Sequence, residues 1–159
     1  MAVDARQLIG EFRGVAEAAG LGGKGIVHEL QVAPHQPHKL PAGKGAVYVF
    51  SLSAGWGEQC AAGPGCVLKV GKVGPKSNAR FESQHYNADS APSTLAARLL
   101  QHPEVWEPLG LSAPNKASIN TWLRARVDRD NFYVAGEDGG LRSLFESFLI
   151  ARLKPVFEG

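Results

Sequence analysis

Apolar residues first recur with helical spacing. Leu8, Ile9, Phe12, Val15, Ala16 and Ala19 share one face of a helix. Asp4 precedes them as an N-cap with Gln7 as its capping-box partner, and Gly20, Gly22 and Gly23 stop the run. From Gly45 to Leu52 the pattern changes to an almost unbroken series of Val and aromatic residues, which predicts a strand. Val67 to Val73 predicts a second, with Lys69 and Lys72 between apolar positions. The glycine-rich stretch 53–65 joins them as a loop, so the two strands are expected to pair antiparallel.

Between the first helix and the first strand lie Pro34, Pro37 and Pro41 with His28, His35 and His38. This connector reads as extended or irregular, its histidines solvated, since no cysteine or carboxylate pattern makes metal ligands of His35 and His38. After the second strand, Gly74 to Asn78 forms a turn, and a short helix starting at Ser77 or Asn78 carries Arg80, Phe81 and Gln84. Ser93 and Thr94 cap another helix through Leu95, Leu99 and Leu100, stopped by Pro103. Residues Trp122 to Val127 and Asn131 to Val134 suggest a second pair of strands, with Asp128 to Asp130 as their turn. The last helix runs from Leu141 to Leu153, apolar nearly all round, and Pro155 ends it.

Composition narrows the setting. The 159 residues suit one domain with one core, and 44% hydrophobic with 20% charged residues excludes a wholly disordered chain. No apolar run approaches the roughly 20 residues of a membrane helix, and the N-terminus lacks the pattern of a signal peptide, so a cytoplasmic protein is the default. Cys60 and Cys66 alone do not make a structural zinc site and read as thiols. A net charge of +2 neither supports nor excludes nucleic acid as a partner.

Four side chains stand out chemically. Glu146 interrupts the apolar final helix, where a carboxylate needs an ion-pair partner or a metal ion. Tyr48 lies mid-strand, and Lys69 shares its face if the two strands pair, where an ammonium would favour the phenolate. Arg80, on the short capped helix, offers a rigid fork of donors to phosphate oxygens. A base, its activator, an anion clamp and a metal ligand are together what phosphodiester hydrolysis requires.

These residues resemble the GIY-YIG nucleases over roughly Gly45 to Phe157. The first family motif corresponds to Gly45-Ala46-Val47-Tyr48, with one extra residue before the tyrosine, and the second to Lys69-Val70-Gly71. The motif arginine falls at Arg80, and the closing run from Glu146 to Lys154-Pro155-Val156-Phe157 keeps the family spacing. Lys69 replaces the second tyrosine, as in some restriction-type members, and Glu158 stands where the family has asparagine. Gln84, His85 and Tyr86 fall where members carry a His or Tyr beyond the arginine. His85 is the choice, although at i+5 it would leave the arginine's face of a regular helix.

The resemblance implies an α+β fold, a small central antiparallel sheet flanked by helices, with an extra N-terminal helix. Residues 1–44 would pack on a nuclease domain spanning 45–159. It implies a DNA endonuclease, monomer or homodimer, using one divalent cation, Mg²⁺ or Mn²⁺. Tyr48, aided by Lys69, would activate water; Arg80 and His85 would complete the catalytic set; Glu146 would hold the metal. Lys72, Lys76, Ser77, Asn78 and Gln84 would contact substrate. The altered second motif and Glu158 keep a runner-up open, a catalytically weak or inactive nucleic-acid-binding module on the same fold.

Overall fold

The two strands read from Gly45 to Val73 form the middle and one edge of a sheet. In a computed structural model, which describes residues 4–22, 25–53, 66–105, 107 and 114–157, strands β1 (Val27–Gln31), β2 (Lys44–Leu52), β3 (Val67–Val73) and β4 (Val127–Ala135) form one antiparallel sheet in the order β1-β4-β2-β3. Helix α1 (Ala5–Ala18) precedes it, α2 (Asn78–Glu82), α3 (Leu95–Gln101) and α4 (Ile119–Arg126) lie between β3 and β4, and α5 (Gly139–Leu153) follows. The protein is therefore α+β, a small antiparallel sheet flanked by helices.

Period-two alternation explains why β2 reads as continuously apolar. Ala46, Tyr48, Phe50 and Leu52 pack with Phe81, Leu95, Leu99, Ile119 and Leu123, which belong to α2, α3 and α4. Val47 and Val49 pack instead with Phe12 of α1 and Phe145 and Leu149 of α5. Both faces are thus covered, and every β2 position from Gly45 to Leu52 is buried. The tail continues past Pro155 to lie along β3: the N–H groups of Val156 and Phe157 donate to the Val67 and Leu68 carbonyls at 3.0 and 2.9 Å.

Helix α1 is capped as expected by Asp4, whose side chain accepts from the Gln7 N–H at 3.0 Å. Gln7 does not complete a capping box; its amide donates to Glu11 at 2.8 Å. The helix stops where Gly20 takes a φ of 76°, a conformation that suits glycine. Its buried stripe, Ala5, Leu8, Phe12 and Ala16, is narrower than the apolar pattern, and Val15 is exposed.

Three expectations are corrected. Residues from Trp122 to Arg126 form α4 rather than a strand, because Ile119, Trp122 and Leu123 bury one helical face. Asp128 to Asp130 is not a turn. It lies inside β4, where Asp128 accepts from the Ala33 N–H at 2.8 Å and Asp130 meets His28 at 2.7 Å, so the polar run is satisfied in place. The connector also contains an edge strand, β1, which pairs with β4.

Helix α5 is not apolar all round in its packing either. It buries Leu141, Phe145 and Leu149 and leaves the Glu146 side chain 19% exposed. The central loop, with Cys60, and Glu158 lie outside the described residues; Cys66 is buried just before β3. Among the described residues, no helix is long and apolar enough to cross a membrane.

Candidate active site

Tyr48 is wholly buried and faces the layer of α2, α3 and α4. Its cross-strand partner on β3 is Gly71. A Cβ added there would come within 2.7 Å of both Tyr48 Cε2 and the hydroxyl, so the phenol crosses the edge strand at a residue that has no side chain to obstruct it. Gly71→Ala is expected to destabilise the fold by about 1–3 kcal/mol, since neither backbone nor packed ring can move freely. A thermal midpoint within a degree of wild type would show that the ring adapts.

The phenol oxygen lies 2.6 Å from His85 Nε2. A regular helix would have turned His85 away from Arg80. Instead α2 ends at Glu82 and a 3₁₀ turn, Gln84–Tyr86, re-aims the imidazole at Tyr48. The Leu95 N–H donates to His85 Nδ1 at 3.3 Å, which leaves the neutral ring's proton on Nε2, donating to the phenol oxygen. Burial first, then the charges of Arg80, Arg129 and Lys69, hold His85 well below the ordinary imidazole range.

Opposed influences act on Tyr48. The Tyr48 pKa is raised overall: burial, the largest influence, outweighs the charge and hydrogen bond of Arg80 and then the charge of Arg129, which pull it down, and Glu146 adds to the rise. Lys69 does share the Tyr48 face, since Phe50 pairs with Lys69 as Tyr48 pairs with Gly71. Its ammonium is buried and makes no hydrogen bond to a described residue. Burial, followed by Arg80 and Arg98, lowers its pKa, and Glu146 opposes them. The cations that bear most on Tyr48 are therefore Arg80 and Arg129, one expected and one not.

Glu146 enters from the layer on the opposite face, and its charge acts on both Tyr48 and Lys69. Its Oε2 accepts from Lys72 Nζ at 2.5 Å. Lys72, expected on substrate, thus holds the carboxylate. Asn78 is likewise committed to structure: its Oδ1 accepts from the Leu40 N–H and its Nδ2 donates to Glu82, both at 2.8 Å. Lys76 and Ser77 are exposed and Gln84 is half-buried, at the start of α2 and just beyond its end.

The sequence reading missed Arg129. It is fully buried, and its guanidinium lies 4.2, 5.1 and 5.3 Å from the ring centres of Phe81, Phe50 and Tyr48. It donates to Asn131 Oδ1 at 2.8 Å and to the Tyr86 hydroxyl at 3.3 Å. The available signal was alternation: Val127, Arg129, Asn131 and Tyr133 occupy one face of a strand.

The connector histidines are not simply solvated. His28 meets Asp130 at 2.7 Å, His38 meets Glu29 at 3.0 Å, and His35 is buried with Nε2 2.7 Å from the Tyr86 hydroxyl. Burial, then the charge of Arg129, lowers the His35 pKa from 6.5 to about 4. With the folded value below the unfolded one, the unfolded chain takes up protons first as the pH falls. Stability is therefore expected to decline from about pH 6.5 towards pH 4, with His85 acting in the same direction. Denaturant midpoints measured from pH 7.5 to pH 4.5 check this, and His35→Phe should flatten the decline; an unchanged slope in that variant would assign the acid sensitivity elsewhere.

No family model, curated protein or solved structure matches the chain.

Proposed function

We propose that the chain is a metal-dependent endonuclease that hydrolyses DNA phosphodiester bonds, in the manner of the GIY-YIG nucleases it resembles. The observation that carries this reading is the Tyr48–His85 contact of 2.6 Å within a cluster of cations. His85 donates to the phenol oxygen and so leaves the tyrosine's own proton unclaimed by the imidazole. Tyr48, as phenolate, accepts a proton from water, and that water attacks phosphorus in line as the bond to the leaving 3′-oxygen breaks. Arg80 and Lys69 supply positive charge to the phosphate oxygens. Lys76, Ser77 and Gln84 remain candidates for contacts with the nucleic-acid backbone.

Glu146 is a reasonable ligand for a hard cation. It is a partly exposed carboxylate at the β3 edge of the cluster, and Mg²⁺ or Mn²⁺ is commonly held by one carboxylate with water and substrate phosphate completing the shell. When bound, the cation would stabilise the developing charge on the leaving oxygen. The Lys72 ammonium now occupies the carboxylate oxygen that such a cation would take.

That ion pair, with the burial that disfavours ionisation of Tyr48, favours a second reading: a nucleic-acid-binding module without hydrolytic activity. The two separate in a substrate panel of single- and double-stranded DNA, incubated with Mg²⁺, Mn²⁺ or chelator while binding is followed in parallel. The nuclease reading expects cleavage that chelator stops. Binding without cleavage under every metal condition would overturn it and support the second reading.

A further inference from the structure

Arg129 lies across from Phe50 on β4, with no solvent exposure. An arginine remains protonated, and a desolvated cation is costly without an anion nearby. Among the described residues its contacts are all neutral: the Asn131 amide oxygen, the Tyr86 hydroxyl and the three ring faces. Nη2 has no hydrogen-bond partner among them. The carboxylate of Glu29 is reached only through Asn131, whose Nδ2 donates to it at 3.1 Å.

The protein has three tyrosines, and all three feel this guanidinium. Two are held by other partners. The Tyr86 hydroxyl faces the neutral His35 at 2.7 Å, and the Tyr133 hydroxyl donates to Glu29 at 2.5 Å, where a negative charge resists further ionisation. Tyr48 differs, because His85 Nε2 is a donor to it, its partner nitrogen being occupied by the Leu95 N–H. Tyr48 can thus lose its proton without breaking a hydrogen bond in which it is the donor to His85.

We propose that Arg129 is a positioning residue whose buried charge, beside that of Arg80, stabilises the Tyr48 phenolate when the general base ionises. The use of that phenolate in cleavage rests on the nuclease reading; the pairing itself does not. The other groups around the pair are Lys69 on β3, Arg80 on α2, His85 and Tyr86 on the 3₁₀ turn, Arg98 on α3, Glu146 on α5 and Glu29 on β1. Arg124 of α4 and His35 of the connector act through Tyr86. The cations outnumber the two carboxylates, and among the described residues the charge on Arg129 is the one placed over the Tyr48 ring.

The test labels the full chain with 3-fluorotyrosine, whose phenol is more acidic than tyrosine's, and follows the fluorine resonances with pH. Tyrosine-to-phenylalanine variants assign the three signals. Arg129→Met is expected to raise the Tyr48 midpoint by about one pH unit or more, and Arg129→Lys to restore it to within about half a unit. An unchanged midpoint in folded Arg129→Met overturns the proposal. If that variant does not fold, Glu29→Gln carries the test. Loss of the carboxylate leaves the guanidinium less compensated, so the Tyr48 midpoint should fall, and a midpoint that stays or rises overturns the pairing. A wild-type protein that leaves DNA intact with every metal while showing these shifts would refute the nuclease reading and keep the pairing. Cleavage with no shift would do the reverse.

Discussion

On the proposed nuclease reading, Tyr48→Phe is expected to lower kcat for DNA cleavage by about 10²–10⁴-fold, while affinity for DNA stays within about twofold. The substitution removes one oxygen and leaves the ring packed against Gly71, Phe50, Phe81 and His85. What disappears is the proton acceptor and the 2.6 Å contact to His85. The buried imidazole then has one N–H unsatisfied, which costs about 1–3 kcal/mol of stability, so the variant should fold with a lowered melting temperature. Single-turnover cleavage with saturating protein separates the chemical loss from any loss of binding. A variant that cuts at the wild-type rate would remove Tyr48 from the role of base and return its contact with His85 to packing.

Sequence pattern foresaw the parts of this site that depend on local spacing. Tyr48 and Lys69 fall on one face because strand alternation is a property of neighbouring residues, and pairing β2 with β3 needs only the apolar runs and the loop between them. The buried stripe of α5 could be read for the same reason, whereas the partial exposure of Glu146 and its partner Lys72 depend on where the helix docks across the sheet. His85 was chosen from its position after Arg80, but its approach to Tyr48 requires α2 to stop at Glu82 and a 3₁₀ turn to follow, which the short polar segment does not announce. Arg129 was least accessible. It sits in Asp128-Arg129-Asp130-Asn131, a composition that favours turns, and only tertiary pairing with β1 and β2 makes that run a central strand. Trp122 to Arg126 failed for a related reason: Ile119 is needed to complete the helical spacing. The connector histidines gained their roles from partners far along the chain, Asp130 and Tyr86.

Glu146→Ala should eliminate metal-dependent cleavage, by about 10²-fold or more, with almost no change in melting temperature. The two halves of that expectation come from the same geometry. Its ion pair with Lys72 is short, but the side chains are 19% and 40% exposed, and pairs of that kind contribute only about 0–1 kcal/mol once solvent screening and side-chain entropy are counted. A carboxylate kept for its fold stability would instead show a clear thermal loss and leave chemistry little affected. Lys72→Met sharpens the distinction. If the ammonium competes with a divalent cation for Glu146 Oε2, removing it should lower the Mg²⁺ or Mn²⁺ concentration needed for half-maximal cleavage, with the melting temperature again almost unmoved. If Lys72 contacts the DNA backbone, the same variant should weaken DNA binding and reduce its salt dependence while the metal requirement stays the same. A metal titration of cleavage in wild type and Lys72→Met therefore reads directly whether Glu146 serves the cation or the lysine, and parallel loss of melting temperature in both Glu146→Ala and Lys72→Met, with cleavage intact, would settle it as a structural pair.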